Sequence, residues 1–328
     1  MLNYTDFKNR IVEDLKKRAR SYGRKLDFEF VRIPSPVGNN ERLNVCPSGS
    51  YTALSFRIED IYSDYLDGKN IDDILEKMNE VIEHNLSAGR CSSDTHQRVK
   101  EQILNYSVIK EHFNLRMVPG DSPFLKNAPH KMIVDMAVVI EADVSALSDS
   151  DQRATVVITN DLMELYGVSK DELFKQAEKM SMKNSPLELI SMADKFRRMG
   201  APWEVIEEVE KNGPTIYIAS NNNGFYGASV LAYPDFLESA ASKVDGDFYL
   251  IPSSVHELLI FYDDGRMDDP EALNSAIHDV NADCLDKKDF LSDHGYHYEA
   301  LTKTFESVDD YHKRKFFAWM DNYIPPLR

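Results

Sequence analysis

The stretch PTIYIASNNNGFYGASVLAYPDFLESAASKVDGDFYLIPSSVHELLIFYDDG, Pro214–Gly265, decides the fold class. Pro214–Ser220 and Phe225–Tyr233 read as strands. Asn221-Asn222-Asn223-Gly224 between them is a hairpin signal, because Asn and Gly tolerate positive φ better than other residues. That reading predicts a left-handed Gly224 at the turn. Pro234 opens a helix carrying Phe236, Leu237, Ala240, Ala241 and Val244, and Gly246 closes it. Phe248–Ile251 and Val255–Tyr262 are the next strands, around Pro252-Ser253-Ser254. Asp269 caps a further helix with Pro270 at its first position and Leu273, Ala276, Ile277 and Val280 inside. The order over 214–283 is ββαββα. Hairpins separated by helices predict an α+β fold: a mostly antiparallel sheet with helices packed on it.

Upstream, Phe7, Ile11, Leu15 and Ala19 form one apolar stripe and predict a helix from Thr5 to Arg20. Phe28–Ile33 alternates as a strand, Pro34–Ser50 reads as a loop, and Tyr51–Ile58 as a second strand. Ile61–Leu66 reads as a short helix. Asn70 caps a longer one with Ile74, Leu75, Met78 and Ile82 on its inner face, and 95–113 reads as another. Lys131–Glu141 is apolar on both alternating faces and reads as one central strand, with Asp135 buried in its middle. Ala154–Thr159 is the next strand. Asn160 caps a helix ending at Gly167. Ser169 and Glu172 then form a capping box, with Val168 and Leu173 as its hydrophobic staple. Met180, Met182, Met192 and Met199 read as filler of irregular core space. The expected organisation is an α+β lobe over 1–145, a second over 153–300, and a tail over 301–328.

Lys and Arg number 38 against 55 Asp and Glu in 328 residues, a formal charge of −17. That sign argues against nucleic acid and anionic membrane as partners, since both bind through clustered cations. The N-terminal stretch lacks the apolar core of a signal peptide, and the longest apolar run, Met132–Ile140, falls far short of the roughly 20 residues that span a bilayer. Cys46, Cys91 and Cys284 show no paired spacing, so neither a disulfide framework nor a cysteine zinc site is expected. The expected compartment is the cytoplasm.

No phosphate-binding glycine loop, GxGxxG or HExxH occurs, so no cofactor is expected. Gly224-Phe225-Tyr226-Gly227 matches only a bare GxxG without nearby cations. Four residues of that loop, Asn221, Asn223, Gly224 and Gly227, are the candidates for ligand binding. Ser254 and His256 are candidates for a nucleophile and its base, although two residues of strand separate their side chains by about 6.5 Å. Asp293, His294 and His297 carry metal-capable groups, with Asp289 or Glu299 as further ligands. Asp135 is a candidate because a carboxylate inside a sheet must be paired, hydrogen-bonded or protonated.

Several segments together resemble the bacterial domain-of-unknown-function family 5688 and, more distantly, the YtpQ-like proteins. They are IYSDYLDGKNIDDILEKMNEVIE (Ile61–Glu83), ILNY (Ile103–Tyr106), PHKMIVDMAVVI (Pro129–Ile140) and VITNDLMELYGVSKDELFKQA (Val157–Ala177). Ile216–Tyr233, DFYLIPSSVHELLI (Asp247–Ile260) and LSDHGYHY (Leu291–Tyr298) complete the set. EKMSMKNSP after Ala177 departs from the family pattern, and the tail from Thr302 extends past it. The resemblance implies no chemistry. The expected function is an intracellular binding or regulatory protein for a small molecule or protein, with a hydrolase using Ser254 and His256, or a metal near His294, as the alternative.

Overall fold

The apolar stripe of the first helix, α1 (Tyr4–Ser21), buries Phe7, Ile11, Leu15 and Ala19, and Asn3 caps it by accepting the Asp6 N–H. The computed structural model describes residues 2–35, 38–48, 54–87, 93–145, 155–211, 215–267 and 269–323; Cys91 and Pro214 lie outside them. The chain divides into two compact units, Met1–Ile109 with Asp143–Val156, and Lys110–Ala142 with Val157–Arg328. Residues 110–142 of the expected first lobe therefore pack in the second unit, as does the expected tail.

In the first unit α1 is followed by β1 (Leu26–Ser35), β2 (Gly38–Pro47) and β3 (Leu54–Arg57), an antiparallel sheet in that order. The expected loop over Pro34–Ser50 is thus largely a strand. Its Pro, Gly and Asn content hides a period-two burial in which Glu41, Leu43 and Val45 face inward. Glu41 pairs there with Lys8 at 2.7 Å. Helices α2 (Ile58–Leu66) and α3 (Ile71–Ser87) follow, and Ile58, Ile74, Leu75, Met78 and Ile82 join Phe7, Ile11, Leu15, Leu43 and Val45 in one core. The helix expected over 95–113 is two, α4 (Ser93–Leu104) and α5 (Tyr106–Ile109).

The second unit opens with β4 (Phe113–Pro119), β5 (His130–Ile133) and β6 (Met136–Asp143), with β6 antiparallel to both neighbours. The single strand expected over Lys131–Glu141 is a hairpin. It turns at Val134-Asp135, and Val134 takes the left-handed conformation (φ 58°). The apolar pattern runs through both arms without a break, so alternation alone does not reveal the turn. After β7 (Thr155–Val157), which spans the point where the chain passes back from the first unit, come α6 (Asn160–Tyr166) and α7 (Lys170–Asn184). Thr159, not Asn160, caps α6, and Gly167 ends it at φ 65°. Ser169 caps α7 by accepting the Glu172 N–H at 3.2 Å. Met180 is buried, whereas Met182 and Met199 are exposed, so the methionines are not one core cluster.

After α7 the chain forms β8 (Leu187–Ser191), α8 (Met192–Arg198), α9 (Trp203–Lys211) and β9 (Ile216–Asn221). It continues through α10 (Phe236–Val244), β10 (Phe248–Pro252), β11 (Leu258–Tyr262), α11 (Pro270–Cys284), β12 (Tyr296–Glu299), β13 (Thr304–Ser307) and α12 (Val308–Tyr323). The sheet order is β13-β12-β10-β11-β9-β8, with antiparallel pairs. With the other sheets and the helices this makes an α+β fold. Gly224 adopts φ 63° as expected, but the hairpin expected around it does not form. β8 and β11 already occupy both edges of β9, so Gly227–Ala232 coils into a short 3-10 helix instead. β11 begins at Leu258, and residues 253–257 form a loop in which Ser253 N and Ser254 N donate to the Glu257 carbonyl.

Replacing Ser169 with alanine is expected to lower stability by about 1 kcal/mol through loss of the α7 cap. Chemical denaturation of parent and variant measures it.

Candidate functional site

The segment from Asp289 to His297 brings most of the sequence candidates together through three aspartate–histidine pairs. Ser292, His294 and Tyr296 reach Asp135, whereas His297, next to Tyr296 on β12, reaches Asp263.

Asp135 sits on the β5–β6 turn. The expectation that it lies buried in mid-strand is overturned: its side chain is 41% exposed, because a two-residue turn carries it out of the sheet. It nevertheless collects the partners expected of a partly desolvated carboxylate. Oδ2 accepts from His294 Nδ1 at 2.9 Å and from Ser292 Oγ at 3.1 Å, and Oδ1 accepts from the Tyr296 hydroxyl. Ser292 and Tyr296 are buried, and their oxygens lie 2.8 Å apart. Ser292 Oγ also accepts the backbone N–H of His294 at 3.1 Å, which fixes the approach of that residue. Partial burial alone would raise the Asp135 pKa. The bonds from Tyr296, His294 and Ser292 outweigh it, so the carboxyl titrates below its ordinary value and stays ionised at neutral pH. Burial, and then the hydrogen bond it donates to Asp135, push the Tyr296 phenol far up.

His256 lies in the 253–257 loop. Its Nδ1 accepts the backbone N–H of Tyr226 at 3.1 Å, so the proton is on Nε2, which faces Asp289 Oδ1 at 3.3 Å. Ser254 Oγ accepts the His256 backbone N–H at 3.0 Å. The Tyr226 ring stacks beside the His256 ring (5.6 Å, 15°), with the Arg116 guanidinium carbon 3.8 Å from its centroid on β4. Arg116 in turn reaches the buried Glu141 of β6 at 3.2 Å.

The 221–227 loop packs against this group. The Asn221 side chain donates to the Phe225 carbonyl at 2.9 Å and accepts the Asn223 N–H at 3.1 Å, while Asn223 Nδ2 donates to Ser185 Oγ at 2.9 Å. Gly227 is obligatory for space, since a Cβ there would collide with Ser220 Oγ and the His256 carbonyl. Phe225 stays 40% exposed, 5.3 Å from the His256 ring.

His297 is fully buried. Its Nε2 lies 3.0 Å from Asp263 Oδ2, the Tyr311 hydroxyl donates to the same oxygen at 3.2 Å, and the Tyr311 ring covers the imidazole at 3.6 Å. Nδ1 has no partner among the described residues. A charged imidazolium would leave a buried N–H unsatisfied there, so His297 is neutral, with Nε2–H donating. Burial, which holds its pKa below the ordinary value, outweighs the opposing pull of Asp263. His294 and His297 thus point to different partners, and Asp293 bonds Asn281 Nδ2 at 2.8 Å. Among the described residues no group of three or more His, Cys, Asp or Glu side chains is arranged to hold a metal.

The sequence reading singled out Asp135, His256, His294 and His297 but not Tyr296, Ser292, Tyr226 or Arg116. A signal for the first two was available: Ser292 and Tyr296 lie within a few residues of His294 in LSDHGYHY, a run of polar groups close enough to share one partner. Nothing in the sequence points to Arg116 or Tyr226, which meet through the fold alone.

The model of DUF5688, a family of unknown function, matches residues 4–300. The chain belongs to this family. The matched span of DUF5688 contains all three aspartate–histidine pairs, while β13 and α12 lie beyond it. The more distant likeness to YtpQ-like proteins rests on the sequence reading alone. No curated protein and no solved structure matches the chain.

Two outcomes follow from this geometry. Asp135→Ala leaves Tyr296, Ser292 and His294 without their acceptor and is expected to cost about 1–3 kcal/mol, against about 0.5 kcal/mol for an ordinary surface change, by denaturant titration. The His297 pKa is lowered in the folded state, so below about pH 6.5 the unfolded chain takes up a proton that the folded one refuses. Stability should fall as pH drops from 7 to 5, and that slope should be shallower in His297→Gln.

Proposed function

We propose that the protein is an intracellular binding or regulatory protein whose ligand, a small molecule or a protein segment, docks at the 221–227 loop. The observation that carries this reading is the loop's construction. The Asn221 and Asn223 side chains brace the loop from within and to Ser185, and the lack of bulk at Gly227 lets it lie against Ser220 of β9 and the His256 carbonyl. Phe225 remains exposed beside His256, whose side chain is 29% exposed. An aromatic ring held rigidly at the surface contributes contact area at low entropic cost. Glu257, next to His256 in the chain, pairs with Lys195 at 3.4 Å and so brings charge of both signs to the segment.

The hydrolase alternative at Ser254 and His256 is less favoured by the same geometry. Ser254 Oγ is engaged with a backbone N–H, and both nitrogens of the His256 ring have partners. A nucleophile and base would need a free hydroxyl facing a free ring nitrogen. Placement inside the cell is supported by Cys46 and Cys284, both free thiols, Cys284 exposed.

A thermal-shift panel of nucleosides, organic acids, amines and short peptides tests the reading. A ligand at 100 times its Kd stabilises the parent by about 2.7 kcal/mol. That shift should vanish in Phe225→Ala. A stabilising ligand that acts equally on Phe225→Ala contradicts the assignment.

A further inference from the structure

Of the three histidines held by aspartates, one keeps a ring nitrogen for other chemistry. His256 spends Nδ1 on the Tyr226 amide and Nε2 on Asp289. His297 gives Nε2 to Asp263, and its other nitrogen is sealed beneath Tyr311, with the side chain 0% exposed. His294 is held through Nδ1 by Asp135, its side chain is 49% exposed, and Nε2 has no partner among the described residues. The holding group is itself held by Tyr296 and Ser292, and Ser292 also fixes the His294 backbone. A base oriented by a carboxylate, with its second nitrogen unengaged on a half-exposed ring, is the arrangement that general-base catalysis requires.

We infer that His294 is a general base that hydrolyses neutral esters, with Asp135 as its positioning residue. This goes beyond the binding reading and rests on different residues, so the two stand or fall separately. The substrate class follows from the surroundings. Asp135 and Asp293 flank His294, and the chain carries a charge of −17, which disfavours phosphate and other anions. Val134, exposed and next to Asp135 on the β5–β6 turn, offers an apolar side chain for an acyl group.

In the step, Nε2 takes a proton from water as the water oxygen bonds to the ester carbonyl carbon. The tetrahedral adduct collapses, the bond to the alcohol oxygen breaks, and the leaving alkoxide takes the proton back from Nε2. One ester and one water give one acid and one alcohol, and His294 returns to its neutral form. The Nδ1 proton stays between His294 and Asp135 throughout. The lowered Asp135 pKa keeps that carboxylate charged for the imidazolium stage.

The test uses the full chain with p-nitrophenyl acetate and butyrate as neutral esters and p-nitrophenyl phosphate as the anionic arm. His278→Ala serves as control, because His278 is exposed and only 3.6 Å from its neighbour Asp279. The parent should hydrolyse the esters in preference to the phosphate. His294→Ala should lower kcat by about 100-fold or more and remove the titration seen in the pH–rate profile, and His278→Ala should leave both unchanged. Asp135→Asn should lower kcat with KM unchanged, which a merely structural role would not produce. Equal rates in the parent and His294→Ala, an equal loss in His278→Ala, or preferred hydrolysis of the phosphate would each overturn the inference.

Discussion

A carboxylate that leaves water must find donors, and in this protein three aspartates find histidines. Asp135, Asp263 and Asp289 differ in burial but share that need, and each answers it through side chains brought from distant parts of the chain. The consequences reach well beyond each pair. Asp135 ties the β5–β6 turn to the start of β12, although 157 to 161 residues separate the partners. Asp263 ties the end of β11 to β12 and α12 at once. The Asp289 side chain holds the ring of His256, and its carbonyl accepts the Val255 N–H at 2.8 Å. The segment between Asp289 and His297 is therefore fixed at several points, with His294 left open before β12 begins and His297 sealed within it.

Much of the fold is legible in local patterns. The stripe of α1, the Ser169 cap, the left-handed Gly224 and the caps of α11 need only neighbours in sequence, and each appears where those neighbours place it. The larger failures concern pairing between strands, which local composition does not report. Gly227–Ala232 has an apolar pattern suited to a strand, but β8 and β11 leave it no edge. Gly38–Pro47 has the composition of a loop, yet its pairing along the whole of β1 makes it a strand. Val134-Asp135 turns the chain inside a run of apolar residues because β6 pairs with both β4 and β5.

The candidate site shows the same division. An aspartate amid Met132–Ile140 and a His-Gly-Tyr-His run are conspicuous alone, and both belong to segments that resemble the family. That Asp135 and His294 meet is a property of the fold, and so is the fate of His297 three residues later. The extension past residue 300 adds to this: Tyr311, on a helix beyond the matched span, covers the His297 ring. The extension is thus part of the packing of the second unit, not an appendage to it.

The central claim is that Asp135 holds His294 through Nδ1 and leaves Nε2 open. Long-range proton–nitrogen NMR correlation of the histidine rings near pH 8 reads the tautomer of each directly. The structure predicts the Nδ1–H form for His294 and the Nε2–H form for His256 and His297, with the His294 preference lost in Asp135→Ala. An Nε2–H form at His294, or a ring indistinguishable from that of exposed His278, would contradict the account.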